Sequence, residues 1–204
     1  MTDARWPTSR VAVFDEFLVA EEWRYLLDYT FSRGAEFQRT QVLAHGHDQP
    51  DPDARRSVVL FDLDGVRDMF CERLMTFFPQ ILHRLDRPWF PIRHLEVQLT
   101  GTGDGEFFRA HSDDGSPEVA SRAVTFVYFF YREPKPFTGG ELRIYDTAFD
   151  GDHAVATGPS RDVTPLQNQV VFFESHCLHE ILPVSSPARG FADRRFTVNG
   201  WFHQ

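Results

Sequence analysis

From residue 92 onward the chain breaks into seven short runs rich in β-branched and aromatic residues: "HLEVQLT", "EFFRAHSD", "RAVTFVYFFY", "GELRIYD", "QVVFFES", "HEILPV" and "RRFTVNGWF". Gly, Pro and Asp clusters separate them. Many short strands with turn signals between them predict a sandwich or barrel. Residues 1–91 have a different texture. "VAVFDEFLVAEEWRYLLDYT" predicts a short strand and then a helix beginning near Val19, with Trp23, Leu26 and Leu27 at helical spacing. "GHDQPDPDARR" (46–56) is polar with two prolines and reads as a loop, and "SVVLFDL" (57–63) as a strand. In residues 66–85 a helical stripe runs through Val66, Met69, Phe70, Leu74, Phe77, Phe78, Ile81 and Leu85. Pro79 is expected to kink or split that helix. The fold class that follows is α+β, mainly β, with a β-barrel buttressed by N-terminal helices.

At 204 residues the chain is expected to be a single domain, with 1–91 as support and 92–204 as the barrel. A net charge of −9 weighs against a nucleic-acid groove. Cys71 and Cys177 fit no disulfide or metal spacing, which points to a reducing compartment. The stretch "MTDARWPTSR" lacks a signal peptide's apolar run, and nothing approaches the ~20 apolar residues of a membrane span. The expected setting is the cytoplasm, with neither membrane nor nucleic acid as partner; the oligomeric state stays open.

"FFRAHSDDGS" carries His111 and Asp113 two positions apart. Alone such a pair is a weak signal. If it ends a strand, both side chains point to one face and grip one metal from one side. A third ligand must come from elsewhere, and "ESHCLHEILPV" offers His179, which begins a β run, with His176 as competitor. Two His and one carboxylate leave adjacent positions open on an octahedral ion, the arrangement of non-haem Fe(II) oxygenases. A bidentate, dianionic co-substrate and O2 would use those positions, and the co-substrate's far end needs a cation. Arg195 qualifies, because guanidinium binds carboxylate through two parallel hydrogen bonds. Thr197 and Trp201 share its strand phase and Arg194 does not. A structural salt bridge is the alternative reading of Arg195.

At this point the chain resembles the Fe(II)- and 2-oxoglutarate-dependent oxygenases, in their prolyl 4-hydroxylase-like branch. The resemblance covers about 92–204 and rests on "GDGEFFRAHSDD", "RAVTFVYFFY", "FTGGELRIYD", "QVVFFESHCLHEILPV" and "RRFTVNGWF" in that order. It implies a double-stranded β-helix (jelly-roll) fold, iron on His111, Asp113 and His179, and the C5 carboxylate of 2-oxoglutarate on Arg195. It also implies Fe(II) as cofactor, 2-oxoglutarate and O2 as co-substrates, and hydroxylation of an unactivated C–H with release of succinate and CO2. The chain departs from relatives at two tyrosines: one position falls on Gly101, the other near Phe129, beside Tyr128. Thr125, Tyr128 and Gln98 are the candidates to compensate beside 2-oxoglutarate. The interval from His179 to Arg195 is long, with "SSPARGFAD" inserted. Asp113 is a carboxylate rather than Gly or Ala, which argues against a halogenase.

Two other readings compete: a metal-binding or sensor module without turnover, and a zinc or iron enzyme independent of 2-oxoglutarate. Arg195 discriminates against both. The substrate stays open among an amino acid, a peptidyl residue and a natural-product intermediate. Loops 46–56 and 114–121 are candidate lids, with Arg55, Arg56 and Asp114 as charged residues able to meet a polar substrate.

Overall fold

The computed structural model describes residues 9–40, 52–151 and 153–204. Its elements run β1 (Val11–Phe14), α1 (Ala20–Ser32), β2 (Gln38–Arg39), β3 (Val58–Leu60), α2 (Asp64–Leu85), β4 (His94–Thr102), β5 (Phe108–His111), β6 (Arg122–Phe130), β7 (Thr138–Gly139), β8 (Leu142–Asp150), β9 (His153–Val163), β10 (Gln169–Glu174), β11 (His179–Ile181), β12 (Val184–Ser185) and β13 (Arg195–His203). Single 3₁₀ turns lie at Gly34–Glu36 and Phe191–Asp193. A seven-stranded sheet has the order β1-β10-β6-β13-β4-β3-β2, and a four-stranded sheet the order β5-β11-β8-β9. With the helices added, this is the helix-buttressed β fold expected from the pattern, and the jelly-roll core that the resemblance implies.

The alternation of side chains along a strand sorts the larger sheet into two faces. On β6, Val124, Phe126, Tyr128 and Phe130 face the helices; on β13, Phe196, Val198 and Phe202 do the same. These residues pack with Leu26 of α1 and with Phe70, Leu74, Phe78 and Ile81 of α2. Each fully buried Leu or Phe contributes about 1.5–3 kcal/mol, so this apolar layer is the main source of stability. The opposite face looks toward the smaller sheet. There Val127, Phe129, Val171 and Phe173 pack against Leu142 and Ile144 at one end, and the other end is left open as a cavity.

Three features add to the sequence reading, each with a physical cause. α2 continues through Pro79 without splitting. Pro79 has no N–H to offer the Met75 carbonyl, but both residues are exposed, so the lost bond is not buried. Strand β9 was not legible in the sequence, because "HAVATGPSRDV" is polar and contains Gly158 and Pro159. It is the outer strand of its sheet, and its pairing with β8 breaks register between Tyr145 and Thr147, where a proline is tolerated. The "SSPARGFAD" segment is a pinned loop: Phe191 packs on Phe37 and Phe196, and Ser186 bonds Asp104 and Asp193.

Gly200 lies on β13, paired on both sides by β4 and β6. A methyl group there would sit 1.8 Å from the Glu96 carbonyl oxygen, a backbone atom that cannot swing away. Gly200→Ala is therefore expected to destabilise by at least the ~1–3 kcal/mol of ordinary overpacking. Urea unfolding checks this, with Gly65→Ala, where a methyl meets only ordinary contact, as the near-neutral control.

Candidate active site

Strand β5 ends at His111, and β11 begins at His179; the two residues are direct cross-strand partners. Their rings lie 4.2 Å apart, centroid to centroid. Asp113 is past the end of β5, so the pleat does not aim it as the sequence reading supposed. Its own backbone N–H, donated to the Ser175 carbonyl at 2.9 Å, brings its side chain back between the two imidazoles. The carboxylate oxygens stand 3.6 Å from His111 Nε2 and 3.4 Å from His179 Nε2.

Both imidazoles are oriented by backbone. His111 Nδ1 is 2.8 Å from the Arg109 carbonyl and His179 Nδ1 is 2.9 Å from the Cys177 carbonyl. A carbonyl only accepts, so each Nδ1 carries the proton and each Nε2 is left with its lone pair toward Asp113. Phe108 stacks on His111 at 3.5 Å, and Phe173 meets His179 edge-on at 4.7 Å. Burial and the adjacent His179 hold the His111 imidazole down to about 3, which keeps it a neutral ligand. Burial works against ionised Asp113, while the charge that His179 and His111 carry when protonated and hydrogen bonds, one of them from Thr125 Oγ1 (2.7 Å), act the other way and hold the carboxyl below its usual range. The candidate ligand atoms all lie within 4.8 Å of one another. Two Nε2 atoms and an ionised carboxylate suit a divalent ion with open positions, and the backbone bonds at Nδ1 are the outer support that ligating histidines require. His176 is elsewhere: it stacks on Phe149 and sits 3.8 Å from Glu174.

The three side chains lie on a cavity of about 640 Å³ between the sheets. On its wall Gln98, Thr125, Arg195, Thr197 and Trp201 come together, as does Asn199, which the sequence reading did not single out. Tyr128 does not join them. One position out of phase with Thr125 on β6, it faces the helices, meets Phe70 edge-on and donates to Asn168 Oδ1 at 2.9 Å; its candidacy beside 2-oxoglutarate is corrected on that ground. Gly101 likewise faces Phe196 and Arg194, and no tyrosine lines the cavity among the described residues. Thr125 spends its hydroxyl on Asp113, so it supports a metal ligand. Thr100, which the sequence reading also passed over, donates to Asn199 Oδ1 at 2.9 Å and lies over the same cavity. Its signal was parity: Gln98, Thr100 and Thr102 alternate with Val97 and Leu99 on β4.

Arg195 is 2% exposed, and its Nε and Nη2 are buried with no hydrogen-bond partner. No carboxylate pairs with it among the described residues; Phe129 lies under its guanidinium at 5.0 Å. Burial pulls its pKa down to about 9, opposed by the charge of Glu141. An unpaired buried guanidinium is costly unless an anion completes it. Arg194, one residue earlier, is instead committed to Glu106 at 2.7 Å on the far side of the sheet.

Comparison with known proteins agrees with this geometry. The family model of the 2OG-Fe(II) oxygenase superfamily matches residues 97–203. The chain is 37% identical over 191 residues to an uncharacterized PKHD-type hydroxylase of Synechocystis sp.. That match takes in 92% of this chain and 61% of the relative, so the chain spans about three fifths of the relative's length. Among solved structures, a Pseudomonas putida prolyl-4-hydroxylase superposes with a TM-score of 0.69 at 22% identity, covering 97% of this chain and 94% of that one. A Trichoplax adhaerens prolyl hydroxylase, in complex with a peptide fragment of the hypoxia inducible factor oxygen degradation domain, superposes with 0.70 at 15% identity, covering 95% and 83%. At these identities the two structures speak for the fold.

The arrangement predicts one Fe(II) bound per chain. His179→Ala and Asp113→Ala are expected to abolish stoichiometric binding, and His176→Ala to leave it intact. Anaerobic equilibrium dialysis with metal analysis checks this; iron lost in His176→Ala and kept in His179→Ala would reverse the ligand assignment.

Proposed function

We propose that this chain, which belongs to the 2OG-Fe(II) oxygenase superfamily, is an Fe(II)- and 2-oxoglutarate-dependent hydroxylase whose substrate is a peptidyl residue, proline first among them. In this reading residues 1–204 act as one oxygenase domain, and His111, Asp113 and His179 hold the iron. When bound, the iron supplies the oxidising chemistry in which O2 and 2-oxoglutarate give succinate and CO2 and one oxygen atom converts a substrate C–H to C–OH. The chain's own residues bind, orient and exclude water.

The observation that carries the reading is Arg195. It is a fully buried cation on the wall of the cavity that also holds the two histidines and the aspartate, and its donors lack a partner. A carboxylate at the far end of a co-substrate bound to the metal would satisfy it through two parallel hydrogen bonds. Thr197 and Gln98, on the same wall, are positioned to orient that co-substrate. A silent metal module or a hydrolase has no use for such a charge. Val127, Leu142, Ile181 and Trp201 make the neighbouring wall apolar and keep bulk water out.

The substrate assignment rests on the relatives, described as a PKHD-type hydroxylase and as prolyl hydroxylases, one of them bound to a peptide. An open cavity suits a chain segment laid across its mouth. Residues 115, 116 and 119 line that mouth, consistent with a role for the 114–121 loop in substrate choice, while residues 46–51 of the other expected lid lie outside the described residues. Among the described residues no helix is long and apolar enough to cross a membrane, and the free thiols of Cys71 and Cys177 fit the cytoplasm as the working compartment.

Two measurements test the reading. Without O2, Fe(II) and 2-oxoglutarate together should give a visible absorption band that neither gives alone; admitting O2 should yield succinate, accelerated by proline-containing peptides. Arg195→Ala should still bind iron but lose about 2–5 kcal/mol of 2-oxoglutarate affinity, on the order of a hundredfold or more. Equal 2-oxoglutarate affinity in wild type and Arg195→Ala would overturn the assignment.

A further inference from the structure

The segment just before β3 is tied to the metal-bearing strand. The Arg109 N–H donates to the Ala54 carbonyl at 2.9 Å, the Arg56 N–H donates to the Phe107 carbonyl at 2.8 Å, and Arg55 bridges Phe108. Residues 54–56 thus extend the smaller sheet past β5, although the chain then enters the larger sheet as β3. This stitching aims alternate arginines in opposite directions. Arg56 is exposed: its Nε donates to the Pro52 carbonyl, and its guanidinium covers Phe107 and reaches Asp53. Arg55 turns into the cavity.

Arg55 is held there on two sides. Its Nε donates to Ser57 Oγ at 3.0 Å, and its guanidinium lies over the Phe108 ring at 4.6 Å, the ring that stacks on His111. Its remaining donors have no carboxylate among the described residues. Burial pulls its pKa down to about 10, where it remains charged at neutral pH, and the carboxylate whose charge reaches it is Asp113, already engaged with the metal site.

The charges of the cavity identify what is missing. Arg122 is paired with Glu96, and Arg39, whose side chain is 73% exposed and so screened by solvent, shares Glu106 with Arg194. In the loaded site, Fe(II) and Arg195 are balanced by ionised Asp113 and dianionic 2-oxoglutarate. Among the described residues, Arg55 is the cation left without a carboxylate partner beside the reacting centre, in a partly desolvated place where an unmatched charge is unfavourable. We propose that Arg55 is a specificity-determining residue that binds a carboxylate of the substrate, so that the chain prefers substrates bearing an acidic group near the oxidised carbon. This inference rests on the reading above, in which 2-oxoglutarate occupies the site. The carboxylate has two sources, an Asp or Glu side chain near the target residue of a peptide or the free carboxyl group of an amino acid.

The test uses the full chain loaded anaerobically with Fe(II) and 2-oxoglutarate, its absorption band confirming that the co-substrate is in place. Calorimetry then measures binding of proline-centred peptides whose flanking positions carry either Asp and Glu or Asn and Gln, and of free amino acids against their carboxamides. In wild type, an acidic probe should bind at least tenfold tighter than its neutral amide counterpart, and the arm in which this happens names the source. Arg55→Gln should abolish the preference while the absorption band titrates as in wild type; Arg55→Lys, which keeps the charge, should recover part of it. A wild type that prefers no acidic probe in either arm, or a preference unchanged in Arg55→Gln, overturns the assignment and leaves the co-substrate reading standing. Should Arg55→Gln fail to fold, Arg55→Lys decides: a preference weaker than that of wild type supports the assignment, and a preference equal to it, or none in wild type, overturns it. If the band never forms in wild type, the co-substrate reading falls, and the charge balance that singles out Arg55 falls with it.

Discussion

The central strands of the larger sheet are covered on both faces, and each face must be built from alternate residues of the same strand. That constraint organises the molecule. On β13, Phe196, Val198 and Phe202 enter the helix-facing core, and Arg195, Thr197, Asn199 and Trp201 line the cavity. On β4, Val97 and Leu99 serve the core, and Glu96, Gln98, Thr100 and Thr102 serve the cavity. The apolar half supplies the stability that allows the polar half to be chosen for chemistry. A one-residue slip of either strand would exchange the two sets, so the register of β13 between β4 and β6 is a condition of both folding and function.

The polar half is costly in the absence of its partners. Arg195 is buried with two unsatisfied nitrogens, and among the described residues no carboxylate pairs with Arg55. Arg194, Arg39, Arg122 and Arg132, by contrast, each meet a carboxylate. Arg195 and Arg55 share one cavity, as expected where a site is prepared for anions that the protein does not itself contain. Affinity for those anions is then gained largely from relief of a cost already present in the folded chain.

The candidate metal centre shows a similar preparation at the level of hydrogen bonds. Backbone carbonyls fix the tautomer of both histidines, Thr125 orients Asp113, and the Ser175 carbonyl anchors the Asp113 backbone. These supports come from β5, β6 and the turns that flank β10 and β11, so the ligands are held by two different sheets. Phe108 links this centre to Arg55 through stacked rings. The substrate anchor proposed here is therefore rigidly referenced to the metal, as selection of one C–H bond requires.

Much of this could be read before folding. The run of short strands, the helical stripe on α2, His111, Asp113 and His179 in order, and the phase of Arg195, Thr197 and Trp201 against Arg194 all follow from residue type and spacing, because strand and helix periods are local properties. What the sequence could not decide was which neighbours those residues acquire. Tyr128 and Thr125 looked equivalent until pairing with β10 and β13 set the faces of β6. Asp113 looked like a strand residue but is aimed by a bond to Ser175, sixty-two positions away in sequence. β9 pairs only because β8 offers it an edge. Arg55 and Arg56 were indistinguishable in a polar loop, and only the stitching of residues 54–56 to β5 turned one into the cavity and the other out to solvent. Periodicity is written in the chain; long-range hydrogen bonds, which select among the partners that periodicity allows, exist only once distant segments meet.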